Sequence, residues 1–463
     1  MSIQIYNTLT RQKEDFEPRH GKKVQMFVCG PTVYDYIHIG NARTFVVFDV
    51  IAKYLKYKGY EVDYIQNITD VDNKIIERAQ KEGIDPLEYA KKYTQIFKED
   101  MTALGVTSPT YKNATDHIKE VIKQVQTLLE KGNAYPIEND GIYFDLSTFP
   151  DYGKLSGRTA NMADDAVSRI DDSDKKRNRG DFALWKFSQA GDPSWPAPFG
   201  DGRPGWHIED TAITEEYFGP QYDIHGGGQD LMFPHHEAEI AQQESASGLK
   251  PFVKYWIHTG FLINKESKMS KSLGNFLTLP EALEKYSPEV LRFYFLSAHY
   301  RSPLDFSDNL LGANKHAVRG IYEFIIHKNF WHKNIPPKNE DQELDKIAKN
   351  GQENITKALD NDFNTTEAMG HFFDTISSCE PLLKLGHNSK ILDEIIDFVD
   401  KILGIAPKEE KIPKEVQNLN QKREDAKKKQ DFIIADQLRE QIKKLGYEIE
   451  DTTYGPLVKK ILN

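Results

Sequence analysis

The amino-acid sequence predicts an α/β fold: a parallel, doubly wound sheet interrupted by an insertion and followed by an all-helical C-terminal region. Three observations carry this expectation. Strand-like and helix-like segments alternate through residues 1–133, the alternation returns over 206–276, and only helical patterns follow from 277 onward. Strand, crossover helix, strand is the pattern of a parallel sheet, because parallel neighbours need a long connection back across one face.

Taken in order, "KKVQMFVCG" reads as a strand, and "NARTFVVFDVIAKYLKYKG" as a helix ending at Gly59. "YEVDYIQNITDV" supplies a second strand, and helical stretches run from Lys74 to Leu104. In "TDHIKEVIKQVQTLLEKG", Ile118, Val121, Ile122, Val125, Leu128 and Leu129 fall on one helical stripe with a glycine stop. Residues 134–205 break into short pieces rich in Asp, Gly, Pro and Ser, as an insertion would. "EYFGPQYDIHGGG" then predicts a strand ending in a glycine-rich turn, "PHHEAEIAQQESASG" a helix begun by proline, and "YWIHTGFLIN" another strand. A Pro- and Lys-containing break at 406–414 precedes a last helical unit.

Composition narrows the class. A chain of 463 residues exceeds one compact core, so several domains are expected. No segment reaches the roughly 18 uninterrupted apolar residues of a membrane helix. The start, "MSIQIYNTLTRQKEDF", has no basic region followed by an apolar core, so a cytoplasmic location with no membrane partner is expected. A net charge of −11 excludes a uniformly basic nucleic-acid coat but leaves local basic faces, at 264–272 and 420–429. The two cysteines form no CxxC pair, so any metal site must rest mainly on His and carboxylate ligands. Cys379 reads as a buried helix residue. Cys29 ends an apolar strand, where α/β sheets present side chains to a ligand cleft.

Three constellations carry chemistry. "HIGN" places His38 and Gly40 at a helix start, where unpaired N–H groups favour phosphate. "KMSKS" sets Lys268 and Lys271 three residues apart, a spacing suited to a polyphosphate leaving group. There is no GxxxxGK[ST], which excludes a P-loop enzyme. Finally, "GRPGWHIEDTAI" and "HGGGQDLMFPHHEAEIAQ" cluster His and carboxylates in the manner of a metal site. His235 and Glu239 stand at i and i+4, on one face of the helix begun by Pro234.

"HIGN" with "KMSKS" resembles the paired motifs of class I aminoacyl-tRNA synthetases. The longer strings "FVCGPTVYDYIHIGNART", "YIQNITDVDNKII", "GRPGWHIE", "HGGGQDLMFPHHEAEIAQ", "KMSKSLGNF" and "SAHYRSPLDFS" resemble the cysteinyl-tRNA synthetase family, with similarity from about residue 3 to the C-terminus. The resemblance implies a Rossmann-like catalytic domain in two halves (1–133 and 206–276) around a connective peptide (134–205). It further implies a stem-contact region (277–313), a helical bundle (314–405) and an anticodon-recognition unit (406–463). It implies ATP with Mg2+, L-cysteine and tRNA(Cys) as substrates, and a monomeric enzyme. Cysteine would be converted to its adenylate with release of pyrophosphate, then transferred to the 3′ end of the tRNA. His38 and Asn41, with Lys268 and Lys271, are the implied catalytic residues. Gly40, Gly226, Gly227, Gly228, Asp230 and Lys271 are the implied nucleotide contacts, and Thr69 and Trp206 the implied contacts to the amino acid.

The family holds a zinc ion whose ligands match Cys29, His235 and Glu239. The fourth family ligand, a cysteine, falls on Asp210 in this chain. Cys, Asp, Glu and His carry the same formal charge as Cys, Cys, Glu and His, and zinc accepts carboxylate oxygen. The expectation is zinc bound with Asp210 as ligand; zinc on three residues with Asp210 behind them, or no zinc, are the alternatives. A second departure is Asn41, where the motif has a second His. An amide still donates a hydrogen bond but carries no charge. Rival readings are a ligase joining activated cysteine to an amino sugar, and a non-catalytic tRNA-binding paralogue.

Overall fold

The computed structural model describes residues 2–158, 173–263, 277–336 and 342–461. It comprises two compact units. The first contains Met1–Lys285, Phe295–Phe306 and Ala358–Thr365; the second contains Tyr286–Tyr294, Ser307–Lys357 and Thr366–Asn463.

The first unit is built on a parallel sheet of five strands: β1 (Lys23–Val28), β2 (Glu61–Ile68), β3 (Thr110–Asn113), β4 (Tyr222–Gly228) and β5 (Val253–Thr259), in spatial order β5-β4-β1-β2-β3. The order reverses between β1 and β4. The chain leaves β1 toward β2 and β3, then returns to the other side of β1. Such a reversal opens a crevice beyond the carboxyl ends of the two central strands, where open α/β sheets bind ligands.

The crossover helices follow their sequence signals. Helix α1 (Ile39–Tyr57) is capped by His38 and buries residues around most of its surface, as a helix clamped on a sheet must. Helices α2 (Asn73–Glu82) and α3 (Pro86–Ala103) start at Asp72 and Asp85, whose carboxylates accept from free N–H groups of the first turn. In α4 (Ile118–Glu130) the apolar stripe is the buried face, and Gly132 follows with φ +76°. Helices α5 (Ile208–Phe218) and α6 (His235–Ser247) complete the layer and pack into the same core as Phe27, Cys29 and Ile65.

Two expectations are corrected, for Gly226–Gly228 and for the region after 277. Gly226–Gly228 lie inside β4 rather than in a turn after it. Glycine is required there by packing, since a Cβ on Gly226 would sit 2.2 Å from the Phe48 ring of α1. The short pieces between 134 and 205 include an antiparallel four-stranded sheet (Ala134–Ile137, Gly141–Phe144, Phe182–Phe187, Gly202–Pro204). The region after 277 is not purely helical: Leu304–Asp305 forms a short strand, and the second unit ends in a hairpin, Tyr447–Thr452 with Gly455–Lys460. In that hairpin Tyr447, Ile449 and Leu457 are buried, an alternation too short to stand out beside a long helix.

The second unit holds the helices Asp308–Asn334, Lys390–Leu403, Lys414–Lys428 and Phe432–Lys444, with most of Gln342–Asp360 and Thr365–Leu383. Among the described residues no helix is long and apolar enough to cross a membrane.

Candidate active site and metal centre

At the sheet's reversal point lies a cavity of about 480 Å³, whose wall includes Cys29, His38, Asn41, Trp206, Asp230 and Thr259. Cys29 and Gly30 continue β1, and Gly228 ends β4, so the two central strands deliver their first loop residues into it.

One part of the wall is the start of α1. His38 is its N-cap, and His38 Nδ1 accepts from the Gly40 N–H at 3.0 Å. That bond leaves the proton of a neutral ring on Nε2, a donor at the edge of a helix N-terminus. A Cβ on Gly40 would come within 2.8 Å of the His38 ring, so glycine is needed for this cap. Lys268 and Lys271 lie outside the described residues.

Behind another part of the wall is a buried cluster. Cys29, Asp210, His235 and Glu239 each contribute a ligand atom lying within 4.8 Å of the others, and Cys29, His225, His236 and Glu239 form a second such set. His235 Nε2 is 2.9 Å from Glu239 Oε1 and 3.1 Å from Asp210 Oδ2, while Cys29 Sγ is 3.8 Å from Glu239 Oε1. Helical spacing places His235 and Glu239 together, α5 carries Asp210, and the β1 terminus supplies the thiol. The rings are fixed from outside: His235 Nδ1 lies 2.8 Å from His207 Nδ1, and Trp206 stacks on His235 at 4.4 Å between centroids.

The electrostatics are those of a site short of positive charge. Burial pushes the Cys29 thiol well up, and Glu239 and Asp210 push it further. Burial carries the Glu239 carboxyl up to about 8 against the pull of His235. Burial opposes charge on His235, yet the Glu239 and Asp210 carboxylates overcome it and raise the imidazolium to about 10. Burial keeps His207, His225 and His236 neutral, with their histidine neighbours adding to it. Asp210 Oδ1 and Glu239 Oε2 are buried without a hydrogen-bond donor; His225 Nε2 stands 3.3 Å from the latter outside hydrogen-bond geometry. A buried carboxylate oxygen left so costs its desolvation, which a cation would offset. One sulfur, one imidazole nitrogen and carboxylate oxygens form a donor set suited to zinc.

The remaining candidates divide. Asn41, Asp230 and Gly228 line the cavity with His38 and Gly40. A Cβ on Gly227 would lie 3.0 Å from His236, and one on Gly228 would lie 2.4 Å from Asp230 Oδ1. Thr69 is buried, and its hydroxyl donates to Glu209, which Asn67 also contacts at 3.1 Å. Sequence reasoning selected His235 by its i,i+4 partner and so passed over His225 and His236 as ligand-atom donors. The available signal for His225 was its place on a strand immediately before the glycine run Gly226–Gly228.

A family model described as "tRNA synthetases class I (C) catalytic domain" matches residues 15–316. Curated proteins named cysteine–tRNA ligase are similar along the whole chain. That of Caldicellulosiruptor saccharolyticus is 44% identical, covering 99% of this chain and 100% of the relative. That of Thermococcus onnurineus is 43% identical over 100% of both, and that of Clostridioides difficile 43% over 99% and 100%. Among solved structures, Mycobacterium tuberculosis methionyl-tRNA synthetase in complex with methionyl-adenylate shares the fold, with a TM-score of 0.65 at 15% identity, covering 83% of this chain and 92% of that one.

Proposed function

This chain belongs to the cysteine–tRNA ligase family of class I synthetases, and from that membership we propose that it selects L-cysteine with a zinc ion held by Cys29, Asp210, His235 and Glu239. The activity is ATP-dependent formation of cysteinyl-adenylate, with pyrophosphate released, and transfer of the cysteinyl group to the 3′ end of tRNA(Cys). The observation that carries the zinc reading is the meeting of those four donors, two of them with unanswered carboxylate oxygens, behind a cavity capped by the α1 N-terminus. Bound there, zinc supplies a Lewis acid that accepts a thiolate far more readily than a serine hydroxyl, a distinction a shape-matched pocket cannot make.

The chain's own groups do the rest. Trp206, stacked on His235 and exposed to the cavity, walls the amino-acid pocket. Thr69 holds Glu209, and Glu209 in turn keeps the start of α5 in place beside Asp210. As the cysteine carboxylate attacks the α-phosphate of ATP, His38 donates from Nε2 to the oxygens that gain charge. Asn41 and Gly40 contribute at the same helix terminus, Lys268 and Lys271 hold the leaving phosphates, and Gly228 and Asp230 face the nucleotide. Mg2+ arrives with ATP rather than at a dedicated protein site. The protein acts in the cytoplasm as a monomer.

Zinc content of protein purified without chelator, measured with cysteine-dependent pyrophosphate exchange, tests this. The expected result is close to one zinc per chain and exchange supported by cysteine, not serine. Full activity without metal would remove zinc from the reading.

A further inference from the structure

The buried cluster contains two overlapping donor sets, and both use Cys29 and Glu239. Hydrogen-bond direction separates them. His225 Nδ1 lies 2.6 Å from the Tyr222 hydroxyl. That is shorter than N–H···O bonds, which run about 2.7–3.2 Å, and falls among O–H bonds of about 2.5–3.0 Å. With the phenol donating and Nδ1 accepting, the one proton of the neutral ring sits on Nε2. This nitrogen is 3.2 Å from Cys29 Sγ. A protonated nitrogen has no lone pair for a metal, but it has a hydrogen for sulfur. Trp256 stacks on the ring at 4.4 Å and fixes its plane.

His236 stands in the same relation. Its Nε2 is also 3.2 Å from Cys29 Sγ, its Nδ1 is 2.8 Å from His258 Nε2, and His258 Nδ1 is 2.8 Å from Thr8 Oγ1. With the threonine hydroxyl as the first donor, each group donates to the next, and the chain ends on the sulfur.

We propose that His225 and His236 are positioning residues that donate paired N–H···S hydrogen bonds to Cys29 and tune that sulfur, rather than ligating the metal themselves. This rests on the reading that Cys29, Asp210, His235 and Glu239 hold the ion. Hydrogen bonds to a ligand sulfur fix its lone pairs and draw charge from it, which moderates its donation to the metal. The effect carries unusual weight in this chain. With Asp210 at the fourth position, Cys29 is the one protein sulfur in the set, so these bonds act on the whole of its sulfur donation.

Protein loaded with cadmium-113 and labelled with nitrogen-15 histidine reads the arrangement without a substitution. Cadmium–nitrogen coupling is expected to His235 alone, with Nε2–H signals on His225 and His236. Coupling to His225 or His236 would overturn the proposal while leaving a metal centre. Loss of coupling to His235 would instead overturn the ligand reading beneath it, and the proposal with it. In the cobalt-substituted protein, His225→Leu should move the sulfur-to-cobalt charge-transfer band to lower energy with the ion retained, and His225→Gln, which keeps an N–H donor, should restore much of the shift. Tyr222→Phe should weaken cobalt affinity about 10-fold or more. An unmoved band in His225→Leu sinks the idea.

Discussion

Two sets of carboxylates in this chain live in opposite surroundings. In the second unit Asp451 accepts from Arg423 through two N–H groups at 3.0 and 2.6 Å and from Lys427 at 2.8 Å. Glu450 beside it accepts from His327 at 2.9 Å and Lys459 at 3.2 Å. In the first unit Asp210 and Glu239 are more deeply buried, yet each keeps an oxygen that no protein donor reaches. Where the protein answers a carboxylate with its own cations, the arrangement is complete as folded and its role is to hold strands and helices together. Where it buries a carboxylate and leaves an oxygen unanswered, a bound cation can supply the missing charge. The same contrast bears on Arg423 and Lys427 of the basic face at 420–429, and on Arg439 beyond it. The first two are committed to Asp451, and Arg439 donates to the Ile449 carbonyl at 2.8 Å.

The sharpest test uses a residue on both sides of that line, because His38 caps α1 with Nδ1 and also lines the cavity. Asparagine caps a helix well but lacks the imidazole. His38→Asn should therefore leave the melting temperature within a degree or two, about the reach of a few tenths of a kcal/mol, while cysteine-dependent pyrophosphate exchange falls roughly 10²–10³-fold, the scale of one lost transition-state donor. A comparable loss of melting temperature in that variant would make His38 a structural cap alone. Next in size is Asp210→Asn. Zinc affinity, read by competition with a chelator, should drop about 10–100-fold or more, while metal-free protein unfolds nearly as before, because His235 keeps Glu239 at 2.9 Å. If the metal-free fold weakens and zinc affinity does not, Asp210 belongs with Asp451 as a structural carboxylate.

Much of this contrast was legible in the sequence, and the illegible part has a physical cause. The parallel sheet followed from alternation of period, and the buried stripe of α4 from Ile118, Val121, Val125 and Leu128. The four donors that meet were reachable from a strand-end cysteine and an i,i+4 pair, helped by a family resemblance. His225 and His236 were not chosen, since a strand residue and a helix neighbour share no spacing that would pair them with Cys29. The register of β4 beside β1, with His225 opposite Phe27 two residues before Cys29, brings His225 to the sulfur, and α6 brings His236. The terminal hairpin was missed because two six-residue strands at the end of a helical region carry little periodic signal.

The glycines of β4 sharpen the comparison at backbone level. Gly226→Ala would drive a methyl into the Phe48 ring at 2.2 Å. The expected cost is about 1–3 kcal/mol of stability, as for other overpacked cores, read by denaturant unfolding, with the KM for ATP unchanged in the folded fraction. Gly228→Ala meets instead the end of the Asp230 side chain, which can turn away toward the cavity. There the melting temperature should hold and the KM for ATP should rise. The reverse pattern would make Gly226 a nucleotide contact and Gly228 a packing residue.

The smallest effect lies on the structural side. The Arg423 guanidinium, with Lys427, holds the Asp451 carboxyl well below the usual aspartate range. A carboxyl lowered in the folded state stabilises that state at every pH above its unfolded value, about 3.9, and loses the increment as pH falls toward the folded value. Asp451 is 40% exposed at the side chain, so screening by water limits the increment to less than about 1 kcal/mol. Asp451→Asn should then unfold at slightly lower denaturant than the parent at pH 7, and the gap should begin to narrow below about pH 4 and close only as the folded-state carboxyl itself becomes protonated. A gap that stays constant over this range would mean that the stabilisation comes from the neutral hydrogen bonds. In that case charge would distinguish the two carboxylate sets only at the candidate metal centre.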